Sequence, residues 1–223
     1  MSSVSEQSGD RSAVVEAMQL MVARGLNKGT SGNISMRAAD GMLITPTGIA
    51  PADLLAEHIV QMSLCGEAPQ GQLTPSSEWQ MHADVYAAKP EALAVVHCHS
   101  PYATILACAR KPIPAMHYMV AAAGGNGIPL ADYATFGSKA LSEANLSALE
   151  STSACLLSNH GQLVFGPDLE SALKLAELVE ELAQCYWGTL AIGGPVLLDG
   201  DQMTEVSEAF ATYGQQKGRD DLT

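Results

Sequence analysis

Residues 92–110 read ALAVVHCHSPYATILACAR. The first eight are apolar and partly β-branched up to the two histidines, which is the pattern of a buried strand. Pro101 then sits where a first helical turn tolerates it, because the missing N–H would have no partner there anyway. The stretch therefore predicts a strand that ends at His97-Cys98-His99 and a helix that starts directly after it. Side chains alternate along a strand, so His97 and His99 share one face and Cys98 points to the other. Cys98 is a poor third ligand for anything the two imidazoles hold.

A second apolar strand, ACLLSN (154–159), also ends in a histidine, His160 in SNHG. HGQ turns the chain and LVFG (163–166) continues as the next strand. If the two strand ends are neighbours in a sheet, three imidazoles converge. A three-histidine set with an open position is the usual form of a catalytic zinc. Neutral imidazole also suits cobalt, nickel or copper, and Co2+ or Mn2+ remain open as alternatives. His58, His82 and His117 are read as ordinary hydrogen-bonding residues.

Outward from these segments, strands and helices alternate. A helix is expected from Ser12, its N-cap, to the stop at Gly25. NISMR, AADG and MLITP (33–46) read as strand, turn, strand, and TPTG (45–48) as a further turn. A short helix is expected over Pro51–Leu55 and a strand in HIVQMSL (58–64). SSEWQMHADVYAAK (76–89) is a helix capped by Ser76 or Ser77. AMHYMVAAA (115–123) reads as a strand closed by GGNG. Helices are expected over 138–149, 169–193 and 201–213. The organisation is a flexible N-terminal tail over 1–11, one α/β domain over 12–213, and a flexible C-terminal tail over 214–223.

Composition narrows the function. Of 223 residues, 47% are hydrophobic and 16% charged, so the chain can bury a core. Eleven basic against 24 acidic residues give a formal charge of −13. That sign argues against nucleic acid and against an anionic membrane. Five cysteines without a CxxC pair, a polar N-terminus and no long apolar run point to a reduced, cytoplasmic chain.

Glu78 opens the 76–89 helix. Free N–H groups and partial positive charge at a helix start favour an anion. Glu78 reads either as a capping carboxylate or as a general base beside the metal. The loop NKGTSGNIS (27–35), the turn 45–48 and Ser76-Ser77 offer backbone N–H groups and hydroxyls that can cradle one phosphate without net positive charge. The GK[ST] of a Walker loop is absent.

TSGNIS, ITPTGI, PSSEW, VVHCH, HYM with AAAGGN, YATFG and SNHG occur here in the order seen in class II aldolase/adducin domains. The chain resembles that family from about residue 12 to about 214, and most of all its fuculose-phosphate aldolase branch. The resemblance implies a three-layer αβα fold around a mostly antiparallel sheet. It also implies a homotetramer with active sites at subunit interfaces. By the same resemblance His97, His99 and His160 match zinc ligands. Glu78 matches the general acid/base that also touches the zinc. Thr30, Asn33, Thr47, Gly48, Ser76 and Ser77 match a phosphate cradle. Tyr118 matches a proton donor reaching into the neighbouring subunit's site, and Tyr213 matches a tyrosine of the C-terminal segment.

The expected activity is reversible cleavage of a ketose 1-phosphate to dihydroxyacetone phosphate and an aldehyde. The sugar would be of the L-fuculose type or a 5-deoxy- or 5-methylthio-pentulose. A ribulose-phosphate 4-epimerase, a sugar-phosphate dehydratase and a non-catalytic adducin-like binding module are the alternatives. The epimerases resemble SSD rather than SSE at the base position.

Overall fold

The HxH segment forms a strand, Ala94–Cys98, in the middle of a seven-stranded sheet. The computed structural model describes residues 4–210. In chain order the strands are β1 (Asn33–Ala38), β2 (Gly41–Ile44), β3 (Val60–Met62), β4 (Ala94–Cys98), β5 (Leu130–Ala131), β6 (Ala154–Leu157) and β7 (Gly161–Gly166). The helices are α1 (Val4–Ala23), α2 (Trp79–Ala88), α3 (Pro101–Cys108), α4 (Lys139–Ala148), α5 (Leu169–Ala191) and α6 (Gly200–Phe210). The strand order is β3-β2-β1-β4-β7-β6-β5. Every neighbouring pair is antiparallel except β5 with β6. This is the expected αβα arrangement around a mostly antiparallel sheet.

Alternation along the strands assigns the two outer layers. Ala94, Val96 and Cys98 of β4 join a core with Ile34, Leu156 and Val164, covered by α1, α3 and α5. Val95 points the other way, into a core with Cys155, Leu157, Leu163 and Phe165, covered by α2 and α4. Both faces of the central strands are therefore buried, which is why β4, β6 and β7 read as continuous apolar runs.

Four expectations need correction. The first helix begins at Val4 rather than Ser12, so part of the expected N-terminal tail is helical. No proline interrupts 4–12, Gly9 costs only about 1 kcal/mol, and each added residue brings a hydrogen bond. The Arg11 guanidinium also donates to the Ile59 carbonyl, which ties the early turns to the domain. The segment 115–123 is not a strand: Tyr118–Ala123 forms 3-10 turns. Its only β-branched residue is Val120, and alanine is a poor strand former. The His117 ring accepts from the Met119 N–H at 3.2 Å, and Gly124 at φ 89° ends the element. The short helix at Pro51 is a single 3-10 turn, Pro51–Asp53. Neither Ser76 nor Ser77 is the cap of α2; that position belongs to Glu78.

Tyr213 and the expected tail 214–223 lie outside the described residues. Among the described residues no helix is long and apolar enough to cross a membrane.

Candidate metal centre and active site

Antiparallel pairing of β4 with β7 sets Cys98 opposite Gln162 and His97 opposite Leu163. Strand β7 starts at Gly161, so the tight β6–β7 turn delivers His160 to the very end of β4. Asn159 adopts φ 56° in that turn, a conformation asparagine tolerates better than most residues. Gly161 makes the approach possible. A Cβ there would lie 2.5 Å from the Cys98 carbonyl oxygen and 2.9 Å from His99 Cδ2. Any side chain would push the turn away from the histidine pair.

The three rings meet edge to face, with centroids 4.8–5.0 Å apart. Their ligating atoms lie within 4.8 Å of one another. His97 Nδ1 donates to the Gln162 carbonyl at 2.8 Å, which leaves the Nε2 lone pair facing the cluster. His97 Nε2 and His99 Nε2 stand 3.1 Å apart. Glu78 closes the set: Oε2 is 3.3 Å from His97 Nε2 and Oε1 is 3.4 Å from His160 Nε2. Tetrahedral ligands on Zn–N bonds of about 2.0–2.1 Å stand about 3.3 Å apart, so these separations fit one ion. Glu78 Oε1 is buried with no hydrogen-bond partner, as a ligand oxygen would be.

Electrostatics agree with ligation. Burial, with repulsion from His97 and His160, pushes His99 down to about 4. Burial and His97 push His160 down to about 4 as well. Both imidazoles are then neutral, with lone pairs available, near neutral pH. Burial acts to raise the Glu78 carboxyl, but His97, His160 and the Asn33 amide outweigh it and hold the group below the usual carboxylate range.

The histidine and glutamate cluster opens on a cavity of about 360 Å³. Thr30, Asn33, Thr47, Ser76 and Ser77 line it, as do Glu78, His99 and His160. Gly48 follows Thr47 at φ 76° but is not among the lining residues. Backbone bonds draw the three cradle segments together: Ser76 N–H donates to the Thr45 carbonyl and Thr47 N–H to the Thr74 carbonyl, each at 3.0 Å, and Thr45 N–H donates to the Ile34 carbonyl at 3.1 Å. Asn27 docks the glycine-rich loop on the end of β4. Its amide donates to the Ser31 carbonyl and its Oδ1 accepts the His99 N–H at 3.3 Å. Gly32 leaves room for this, since a Cβ would lie 2.9 Å from both Asn27 Oδ1 and the His97 carbonyl.

Asn33 differs from a simple cradle residue. Its Nδ2 donates to Glu78 Oε2 at 3.0 Å, and its Oδ1 is 2.6 Å from His82 Nε2. Tyr118 does not line the cavity of its own chain. It is half exposed, stacked on His117 at 4.8 Å. Tyr133 and Phe136 of the YATFG motif, both exposed aromatics, also line the cavity. Of the other histidines, His58 accepts the Leu55 N–H at 3.2 Å and His117 caps its own turn, both ordinary bonds. His82 is different: it is fully buried two bonds from Glu78. The signal for it was spacing, since Glu78, His82 and Tyr86 recur every four residues on one helix face.

An αβα frame with three histidines and a carboxylate around one open position, at the edge of a cavity, is the frame of a protein that could hold a single metal ion. More narrowly, the model of the class II aldolase and adducin N-terminal domain family matches residues 12–187, and the chain belongs to that family. It is 50% identical over 204 residues to the 5-methylthioribulose-1-phosphate/5-deoxyribulose-1-phosphate aldolase of Rhodospirillum rubrum, covering 92% of each chain. It is 48% identical over 202 residues to the L-fuculose phosphate aldolase of Escherichia coli K12, covering 90% of this chain and 94% of that one. A solved L-fuculose 1-phosphate aldolase structure superposes with a TM-score of 0.88 at 37% identity, over 95% of this chain and 98% of the other.

Proposed function

We propose that the protein is a metal-dependent aldolase that reversibly cleaves a ketose 1-phosphate to dihydroxyacetone phosphate and an aldehyde. The observation that carries this reading is the buried, unpartnered Glu78 Oε1 beside three convergent imidazoles, at the floor of a hydroxyl-lined pocket. The sugar is of the L-fuculose type or a 5-deoxy- or 5-methylthio-pentulose, the substrates named for the relatives.

His97, His99 and His160, with Glu78, would hold the ion, zinc being the usual occupant of such a set. When bound, such an ion supplies Lewis-acid stabilisation of the negative charge that develops on the substrate oxygens as the carbon–carbon bond breaks.

The remaining work falls to the chain. Thr30, Thr47, Ser76 and Ser77, with the turn at Gly48, hold the phosphate and fix the register of the sugar. Asn33 has a second N–H that can join them. Glu78 delivers the proton to C3 during cleavage and removes it during condensation. Tyr118 serves the pocket of a neighbouring subunit in a homotetramer, where its hydroxyl exchanges a proton with the aldehyde oxygen. Its exposure, and its absence from the lining of its own chain's pocket, suit that role. Tyr213, from the C-terminal segment, completes the set by family pattern. The intact ligand cluster disfavours an adducin-like binding module, and glutamate rather than aspartate at position 78 disfavours the epimerase.

The test is a panel of ketose 1-phosphates with dihydroxyacetone phosphate measured as product. Release is expected from at least one member, abolished by verified metal removal and restored by Zn2+ or Co2+. Turnover that persists without metal would reject the metal role. Metal-loaded protein that cleaves none of the panel would reject the aldolase reading.

A further inference from the structure

Helix α2 and strand β1 run side by side, and their repeats are commensurate. Four helical residues rise about 6 Å and two strand residues about 6.7 Å. Glu78, His82 and Tyr86 on the helix therefore interleave with Asn33, Ser35 and Arg37 on the strand. The contacts follow that order. Glu78 Oε2 takes a hydrogen bond from Asn33 Nδ2 at 3.0 Å, and Asn33 Oδ1 meets His82 Nε2 at 2.6 Å. His82 Nδ1 meets Ser35 Oγ at 2.7 Å, and Ser35 Oγ meets Tyr86 O–H at 2.8 Å. The Arg37 guanidinium ends the row, 4.9 Å above the Tyr86 ring, with Nη2 bonded to the Tyr86 carbonyl at 2.6 Å. Asn33, Ser35, His82 and Tyr86 are all at most 4% exposed.

The carboxylate fixes the polarity of this row. Ionised Glu78 only accepts, so the Asn33 amide must turn its NH2 toward it and its oxygen toward His82. His82 must then donate from Nε2 and accept at Nδ1, and Ser35 must donate to it and accept from Tyr86. Every donor points toward Glu78. Polarised chains of this kind strengthen each bond, and a missing link leaves buried groups unpaired.

We propose that His82 is a positioning residue for Glu78, holding the carboxylate through the Asn33 amide in the orientation that proton transfer requires. Its catalytic consequence rests on the reading of Glu78 as acid/base, whereas the hydrogen-bond row does not. Burial also pushes His82 down to about 3, which keeps the ring neutral and able to accept from Ser35.

Two measurements test this. In protein with 15N-labelled histidine, the ring that vanishes in His82→Gln should show the neutral tautomer protonated on Nε2. A ring protonated on Nδ1 would reverse the row and overturn the proposal, whether or not the protein is an aldolase. In kinetics, His82→Phe should lower kcat about 10- to 100-fold, the usual cost of losing such a supporting contact, with KM for the ketose 1-phosphate and metal content unchanged. His82→Gln, whose amide can still donate to Asn33, should recover most of that loss. A purely structural histidine would lower the melting temperature and the yield but leave kcat per bound metal within about twofold, which would refute the positioning role. Should His82→Phe fail to fold, Tyr86→Phe at the far end of the row is expected to reduce kcat less than tenfold, and an unchanged kcat there counts against the proposal. A wild-type protein with no cleavage activity would sink the aldolase reading alone, since the tautomer reports on the row by itself.

Discussion

The two faces of the central sheet are built on different rules. Toward α1, α3 and α5, strands β1, β4, β6 and β7 present Ile34, Ala94, Val96, Cys98, Leu156 and Val164, all fully buried and apolar. Toward α2, the same β1 presents Asn33, Ser35 and Arg37, and β4 presents His97. One face stays in place by excluded water and close packing. The other combines an apolar core around Val95, Leu157, Leu163 and Phe165 with a row of polar groups that hold one another by directed hydrogen bonds. An apolar core tolerates changes of shape within a volume. A polar row fails at the first missing donor, because the orphaned group keeps its full desolvation cost of about 1–3 kcal/mol. The site sits on the polar face, where geometry is specified by direction as well as by volume.

Three substitutions put that contrast at risk. Glu78→Gln on the polar face is expected to cost about 10²-fold or more in kcat while the protein stays folded, the range of a positioned acid/base. Turnover within a few-fold of wild type would remove Glu78 from the chemistry. Ile34→Ala, one residue from Asn33 but on the opposite face, is expected to cost about 2–5 kcal/mol of stability in a denaturant titration. The kcat of the folded fraction should be nearly unchanged. A collapse of kcat there would show that the faces are not separable. Cys98→Ala lies between His97 and His99, two of the proposed metal ligands, yet Cys98 points into the apolar core, so about 1–2 kcal/mol of stability is expected to go with no loss of bound metal. Metal loss by elemental analysis would contradict the alternation that separates Cys98 from His97.

Much of this was legible beforehand for physical reasons. Strand alternation put His97 and His99 on one face, and the strand-turn-strand pattern around His160 marked the third imidazole. The pattern did not disclose that the turn lands on the end of β4, because that depends on β7 pairing with β4 rather than with another strand. The segment Tyr118–Ala123, apolar yet folded in 3-10 turns, shows the weakness of apolarity alone, since short alanine-rich runs fit strand or 3-10 turn equally until caps and partners decide. His82 reads as an ordinary hydrogen-bonding residue in the sequence because its meaning lies in a partner strand some fifty residues away.

What the residues by themselves determined was the inventory: two apolar strands ending in histidine, a glutamate at a helix start, hydroxyl- and glycine-rich turns, and the family whose pattern they share. Only the tertiary structure decided which strand lies beside which, that Glu78 Oε1 is buried beside the imidazoles with no hydrogen bond, and that α2 and β1 mesh residue by residue. Local sequence sets period and face through backbone geometry. Neighbourhood across the sheet is set by burying all the apolar faces at once, a condition on the whole chain that no single segment contains.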